Sequence, residues 1–190
     1  FFSLEMGAGE LVKRMLAATT EVSMDAITKG RMQQHEFVQL TERMKKLSTA
    51  KIFLDDQAAL NIFELRAKAR RLKQRHDIQL IVIDYLQLMQ ADANKGGGNR
   101  EQEISKISRD LKSLAKELEI PIIALSQLNR SVESRKESKV PQLSDLRESG
   151  AIEQDADMVM FLYRPEYYGI NNNEMGEPIE GETHIHIAKN

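Results

Sequence analysis

Short apolar runs alternate with longer amphipathic stretches along most of the chain, and this alternation constrains the fold more than any other feature. Leu80–Ile83 is a compact run of apolar, mostly β-branched residues, too short for an independent helix. Phe1–Leu4, Ile52–Leu54, Ile122–Leu125, Met158–Tyr163 and Thr183–Ala188 read as further strands. Pro121 stands at the entry to one of them, where its missing N–H is tolerable. Between the runs, Ala8–Thr20, Glu36–Leu47, Leu60–Arg75 and Glu101–Leu118 carry apolar residues at helical spacing. The clearest stripe is Ile104, Ile107, Leu111, Leu114 and Leu118. Continuous apolar strands separated by such helices predict an α/β fold: a mostly parallel, twisted sheet with helices on both faces. Crossovers should be right-handed, and function should sit at the carboxyl ends of the strands.

Composition narrows the function classes. Lys plus Arg total 27 against 29 Asp plus Glu, a formal charge of −2, so any nucleic-acid surface must be local or built by several copies. There is no cysteine, which excludes disulfide frameworks, thiol nucleophiles and cysteine-ligated zinc or iron–sulfur clusters. No apolar run approaches the roughly 18 residues of a membrane span, and no signal peptide opens the chain. The apolar start at Phe1 and the strand-like end before Asn190 read as cuts. The expectation is one domain over residues 1–190, truncated at both ends.

Three polar residues follow apolar runs. Asp84 ends Leu80-Ile-Val-Ile-Asp84. A carboxylate there suits water-mediated Mg²⁺ binding beside a nucleotide phosphate, or simply caps the next turn. Glu5 ends Phe1-Phe-Ser-Leu-Glu5. It reads either as a helix N-terminal Glu favoured by the macrodipole or as a general base. A second carboxylate at another strand end favours the base. Gln127 ends Ile122-Ile-Ala-Leu-Ser-Gln127. It is an ordinary strand-end residue or, because an amide both accepts and donates, a γ-phosphate sensor.

Other features are less specific. Asn129–Gly150 holds Arg130, Arg135, Lys136, Lys139 and Arg147, offset by Glu133, Glu137, Asp145 and Glu148. It reads as a solvated loop or as a phosphate-contacting one, with Arg147-Glu-Ser-Gly150 supplying cations beside a glycine. Arg66, Arg70 and Lys73 share a helix face and read as a solvated or subunit-contact surface. His184 and His186 share one strand face, which reads as a polar face rather than a metal pair, and no histidine shows metal spacing with nearby carboxylates. The glycine-rich loop Asp92–Asn99 reads as a mobile surface loop or as a functional one. No G-x-x-x-x-G-K-[ST] loop occurs, so a nucleotide hydrolase needs its phosphate cradle outside this chain.

Several segments together are more specific. Phe1-Phe-Ser-Leu-Glu-Met6, Leu80-Ile-Val-Ile-Asp-Tyr-Leu-Gln-Leu-Met89, Ala124-Leu-Ser-Gln-Leu-Asn-Arg130 and above all Leu143–Asp157 resemble the carboxyl-terminal, RecA-like motor domain of DnaB-type replicative DNA helicases. Met158–Arg164 and His186–Lys189 follow in the family's order. The resemblance implies a RecA-like P-loop NTPase core within a homo-hexamer. It would couple ATP hydrolysis, with Mg²⁺, to translocation on single-stranded DNA during replication. Glu5 resembles the catalytic glutamate, Asp84 the aspartate behind Mg²⁺ and Gln127 the switch glutamine. Arg14 sits where the family places an arginine near the nucleotide, and Lys189 resembles the lysine that reaches the neighbour's γ-phosphate. Arg147, Glu148 and Gly150 match the DNA-backbone loop, which Arg130 precedes. A primase, a helicase loader, a cytoplasmic, nucleoid-associated setting in a bacterium or phage, and no membrane are implied likewise. The arginine finger would lie just after Asn190, so the chain by itself is expected to be inactive. The alternatives are another RecA-fold ATPase, recombinase or switch-like, and a non-catalytic assembly module.

Overall fold

The structure is a computed structural model that describes residues 1–90, 100–135, 138–146, 150–173 and 175–190. The Asp92–Asn99 loop and the residues Lys136, Glu137, Arg147 and Glu148 therefore lie outside the described residues.

Three of the apolar runs form one parallel sheet. Strand β1 is Phe2–Ser3, β2 is Ile81–Asp84 and β3 is Ile122–Ala124, in the order β1-β2-β3. Phe2 lies opposite Ile83, Ser3 opposite Asp84, and Ile83 opposite Ala124. Side chains alternate between sheet faces. Ile81 and Ile83 are accordingly buried on one face, while Val82 and its register partner Ile123 lie on the other, with Ile123 43% exposed.

The buried face is covered by α4 (Ile62–His76) and α5 (Arg100–Leu118). Ile104, Ile107, Leu111 and Leu114 of α5 are buried, as the helical period predicts, together with Ile62, Leu65 and Ala69 of α4. Helix α4 opens on a reciprocal cap. The Glu64 N–H donates to Asn61 Oδ1 at 2.9 Å, and Glu64 Oε2 accepts from the Asn61 N–H at 3.2 Å. Its basic face turns toward α5: Arg70 Nη2 donates to Glu117 at 3.0 Å, and Arg66 stands 3.9 Å from Asp110. Arg66 and Arg70 thus reach across to α5 from a partly exposed face, while Lys73 pairs with Asp77 at the end of its own helix at 2.7 Å.

Between β1 and α4 lie α1 (Ala8–Thr20), α2 (Met24–Lys29) and α3 (Gln34–Thr49). Asp56 Oδ2 accepts from the Ala8 N–H at 2.9 Å and secures the start of α1. Helix α2 begins at Ser23, whose Oγ accepts from the Ala26 N–H at 3.1 Å, and ends at Gly30 with φ +64°.

Two expectations change. Ile52–Leu54 forms no strand; only Asp55 bridges to Phe2, with the Ser3 N–H donating to Asp55 O at 2.8 Å. A two-residue β1 offers too short a ladder for more. The last two strands, β4 (Val159–Tyr163) and β5 (His184–Lys189), pair antiparallel as a separate two-stranded sheet among the described residues. On it the imidazoles of His184 and His186 pack around Tyr163, at centroid distances of 6.0 and 5.9 Å. Ile185 and Ile187 point outward beside their partners Leu162 and Met160.

Candidate functional site

Register alone gathers three of the expected residues. Ser3 lies opposite Asp84, and the Leu4 N–H donates to Asp84 O at 2.7 Å, so Glu5 follows β1 directly at the end of β2. The Leu125 N–H donates to Ile83 O at 2.9 Å, and the Leu86 N–H donates to Leu125 O at 2.9 Å. The segment carrying Gln127 therefore leaves the sheet at the same carboxyl edge. Glu5 and Gln127 are exposed and Asp84 is half-buried. Neither carboxylate takes part in a hydrogen bond or ion pair among the described residues. Two unpaired carboxylates at the edge of a parallel sheet suit a hydrated divalent cation and an activated water. No three-carboxylate or histidine cluster that would strip a metal of its water occurs among the described residues.

Gln127 is held by a residue that sequence reasoning missed. Gln87 lies in the 3₁₀ turn Leu86–Leu88 that follows β2. Its amide nitrogen donates to Ser126 Oγ at 2.9 Å and to Gln127 O at 3.4 Å, and its amide oxygen accepts from the Gln127 N–H at 3.2 Å. Arg100, at the head of α5, donates to Gln87 O at 2.8 Å and to Met89 O at 3.1 Å. The turn after Asp84 and the backbone of Gln127 are thus one hydrogen-bonded unit.

Beyond Gln127, several described residues are stapled to one another. Leu128 bridges Leu146, and the Asn129 N–H donates to Asp145 O at 2.8 Å. The buried Asp145 carboxylate accepts from the Gln142 N–H at 2.8 Å and pairs with Arg135, whose guanidinium also donates to Val140 O at 3.2 Å. A carboxylate that deep in protein costs several kcal/mol unless it is paired and hydrogen-bonded, so Arg135 serves the loop itself. Lys139 donates to the carbonyl oxygen of Glu133 in the short helix α6 (Ser131–Ser134). Among the described residues of this loop, Arg130 is exposed and carries no ion pair.

Of the remaining expected residues, Arg14, Gly150 and Lys189 are described, and none of them bonds to Glu5, Asp84 or Gln127. Arg14 lies on the exposed side of α1 and pairs with Glu10 at 3.1 Å. Gly150 is the first residue of α7 (Gly150–Asp155). Arg147 and Glu148 lie outside the described residues. Lys189, at the end of β5, donates to three carbonyls at the close of α7: Glu153 O at 2.6 Å, Ala156 O at 2.8 Å and Gln154 O at 3.4 Å.

The family model for the DnaB-like helicase C terminal domain matches residues 1–190. This chain belongs to that family. It is 47% identical over 188 residues to the replicative DNA helicase DnaB of Mycobacterium intracellulare, covering 99% of this chain and 31% of the relative. It is 52% identical over 167 residues to the DnaB of Geobacillus stearothermophilus, covering 88% and 36%. A solved DnaB-like replicative helicase, described with its interactions with primase, superposes with a TM-score of 0.87 at 38% identity, over 99% of this chain and 44% of that one. A second solved structure, described as an ATPase domain, superposes with a TM-score of 0.87 at 37% identity, over 99% and 65%. The fold is therefore the RecA-like α/β fold of DnaB-like helicase domains. The chain spans about a third of the length of the curated relatives it matches.

Proposed function

We propose that this DnaB-like domain is part of the motor of a hexameric replicative helicase. It would convert ATP hydrolysis into movement along single-stranded DNA and duplex unwinding. One observation carries the reading: Glu5, Asp84 and Gln127 share one carboxyl edge, and Gln127 leads directly into the Leu128–Leu146 and Asn129–Asp145 contacts. Glu5, unpaired and exposed, takes the proton of the attacking water. Asp84 has the donor type and the open lone pairs to hold Mg²⁺ through water. When bound, that ion would neutralise charge developing on the transferred phosphoryl group. Gln127 senses the γ-phosphate with a side chain whose backbone Gln87 holds fixed.

Arg14 and Lys189 serve the nucleotide, the latter in the neighbouring subunit. Arg130, Arg147, Glu148 and Gly150 line the DNA path. Backbone contact suffices for a motor, since base readout would tie it to sequence. The hexamer, with its primase and loader, belongs to the whole protein, in a cytoplasmic setting; among the described residues no helix is long and apolar enough to cross a membrane.

The test uses the full-length protein. Hydrolysis that rises with single-stranded DNA, and a Gln127→Ala variant that binds ATP and DNA but loses that stimulation, support the reading. A Gln127→Ala hexamer with normal DNA-stimulated hydrolysis and unwinding contradicts the coupling role.

A further inference from the structure

The side chain expected to reach a neighbour's phosphate is already engaged. Lys189 Nζ stands 2.6, 2.8 and 3.4 Å from the carbonyl oxygens of Glu153, Ala156 and Gln154. The last carbonyls of a helix have no partner within it, and a lysine there satisfies them and complements the dipole. In α7 the Ile152 carbonyl still accepts from the Ala156 N–H at 2.9 Å, while those of Glu153 and Gln154 depend on Lys189. An ammonium has three donors and no more. Here three acceptors take them, so any phosphate oxygen that Lys189 binds must displace a carbonyl of α7.

We propose that Lys189 is a positioning residue that exchanges the carboxyl end of α7 in its own subunit for a phosphate oxygen in the next. α7 begins at Gly150, a proposed DNA contact, and packs against α5. Without a γ-phosphate next door, Lys189 caps α7 and holds it against α5. With one, the cap is given up and α7 loosens. Two sites that compete for one ammonium are coupled, and by linkage the coupling is reciprocal: an interaction that orders α7 disfavours the phosphate contact. This rests on the reading of Lys189 as a trans-acting phosphate contact, and the test separates the two.

Hydrogen exchange of residues 150–157 in the full-length hexamer reads the cap directly, through amides such as that of Ala156. Hydrogen bonds from a charged donor are stronger than neutral ones, so losing the cap speeds exchange by about tenfold or more. In the wild type, exchange is expected to be slow with ADP and about tenfold faster with a non-hydrolysable ATP analogue. Lys189→Ala is expected to exchange fast with either nucleotide, and Lys189→Arg, which keeps charge and donors, to stay slow with ADP. Wild-type exchange that ignores the analogue, with Lys189→Ala binding it more weakly, overturns the exchange while keeping the phosphate contact. Unchanged analogue affinity in Lys189→Ala overturns the phosphate contact itself. Slow exchange in Lys189→Ala with ADP overturns the cap. The wild-type comparison needs no variant, so a misfolded Lys189→Ala does not blunt the test.

Discussion

Gln87 uses both ends of its amide on Ser126 and Gln127, and its carbonyl is held by Arg100. Gln87→Ala leaves Gln127 in place chemically but unanchored. It should lower DNA stimulation of hydrolysis several-fold while leaving ATP affinity near normal, as a titration of rate against DNA at saturating ATP would reveal. Glu5→Gln keeps shape and loses the base, so single-turnover hydrolysis should fall by ~10²–10⁴ with nucleotide binding retained. The shared placement of Glu5, Asp84 and Gln127 at one sheet edge was legible in the sequence because each closes an apolar run, and sites in α/β sheets lie beyond the carboxyl ends of strands. Gln87 was not, because its value depends on a partner 40 residues away, a pairing set by register. Arg135 misled in the opposite sense. In sequence it is one more cation of a basic loop, but in the fold it neutralises the buried Asp145.

At the scale of elements, the period-3.6 stripes placed α1, α3, α4 and α5 within about two residues, an uncertainty usual for helix ends. Burying Leu114 completely on α5 makes it expensive to truncate: Leu114→Ala should destabilise the domain by about 2–5 kcal/mol, seen in chemical denaturation. The direction of β4 and β5 was not legible, since an apolar run carries no mark of which way its strand pairs. Nor was the face of β5, where aromatic packing on Tyr163 draws the histidines inward.

Lys112 of α5 pairs with Asp157 just beyond α7 and holds its carboxyl below the usual carboxylate range, first through the hydrogen bond and then through its charge. A depressed native value favours the fold above the unfolded carboxylate range, and the benefit is lost as pH falls through the lowered native value. An NMR titration should therefore find Asp157 protonating below ordinary aspartates, and Lys112→Ala should restore the usual range.

For the whole molecule, in the proposed hexamer a formal charge of −2 would leave DNA affinity to arise from repetition, since six copies around a channel would repeat each exposed Arg130 six times. The phosphate-cradling G-x-x-x-x-G-K-[ST] pattern is absent from the 190 residues. The chain alone should therefore show no ATP turnover above buffer in a coupled assay, and turnover that disappears in Glu5→Ala would contradict this. It also bares Met160, Leu162, Ile185 and Ile187 side by side on β4 and β5. Exposed apolar patches of this kind mark interaction or aggregation surfaces, so the lone chain should bind a hydrophobic dye more strongly than the full-length protein does.

In the proposed function, one sheet edge holds the machinery of an ATP-driven motor that DNA stimulates. The most direct measurement is ATP hydrolysis by full-length hexamers, wild type and Glu5→Gln, with and without single-stranded DNA. Hydrolysis that rises with DNA and collapses in Glu5→Gln, with the hexamer intact, is the result expected. Equal, slow turnover in both proteins, whether or not DNA is bound, would contradict it.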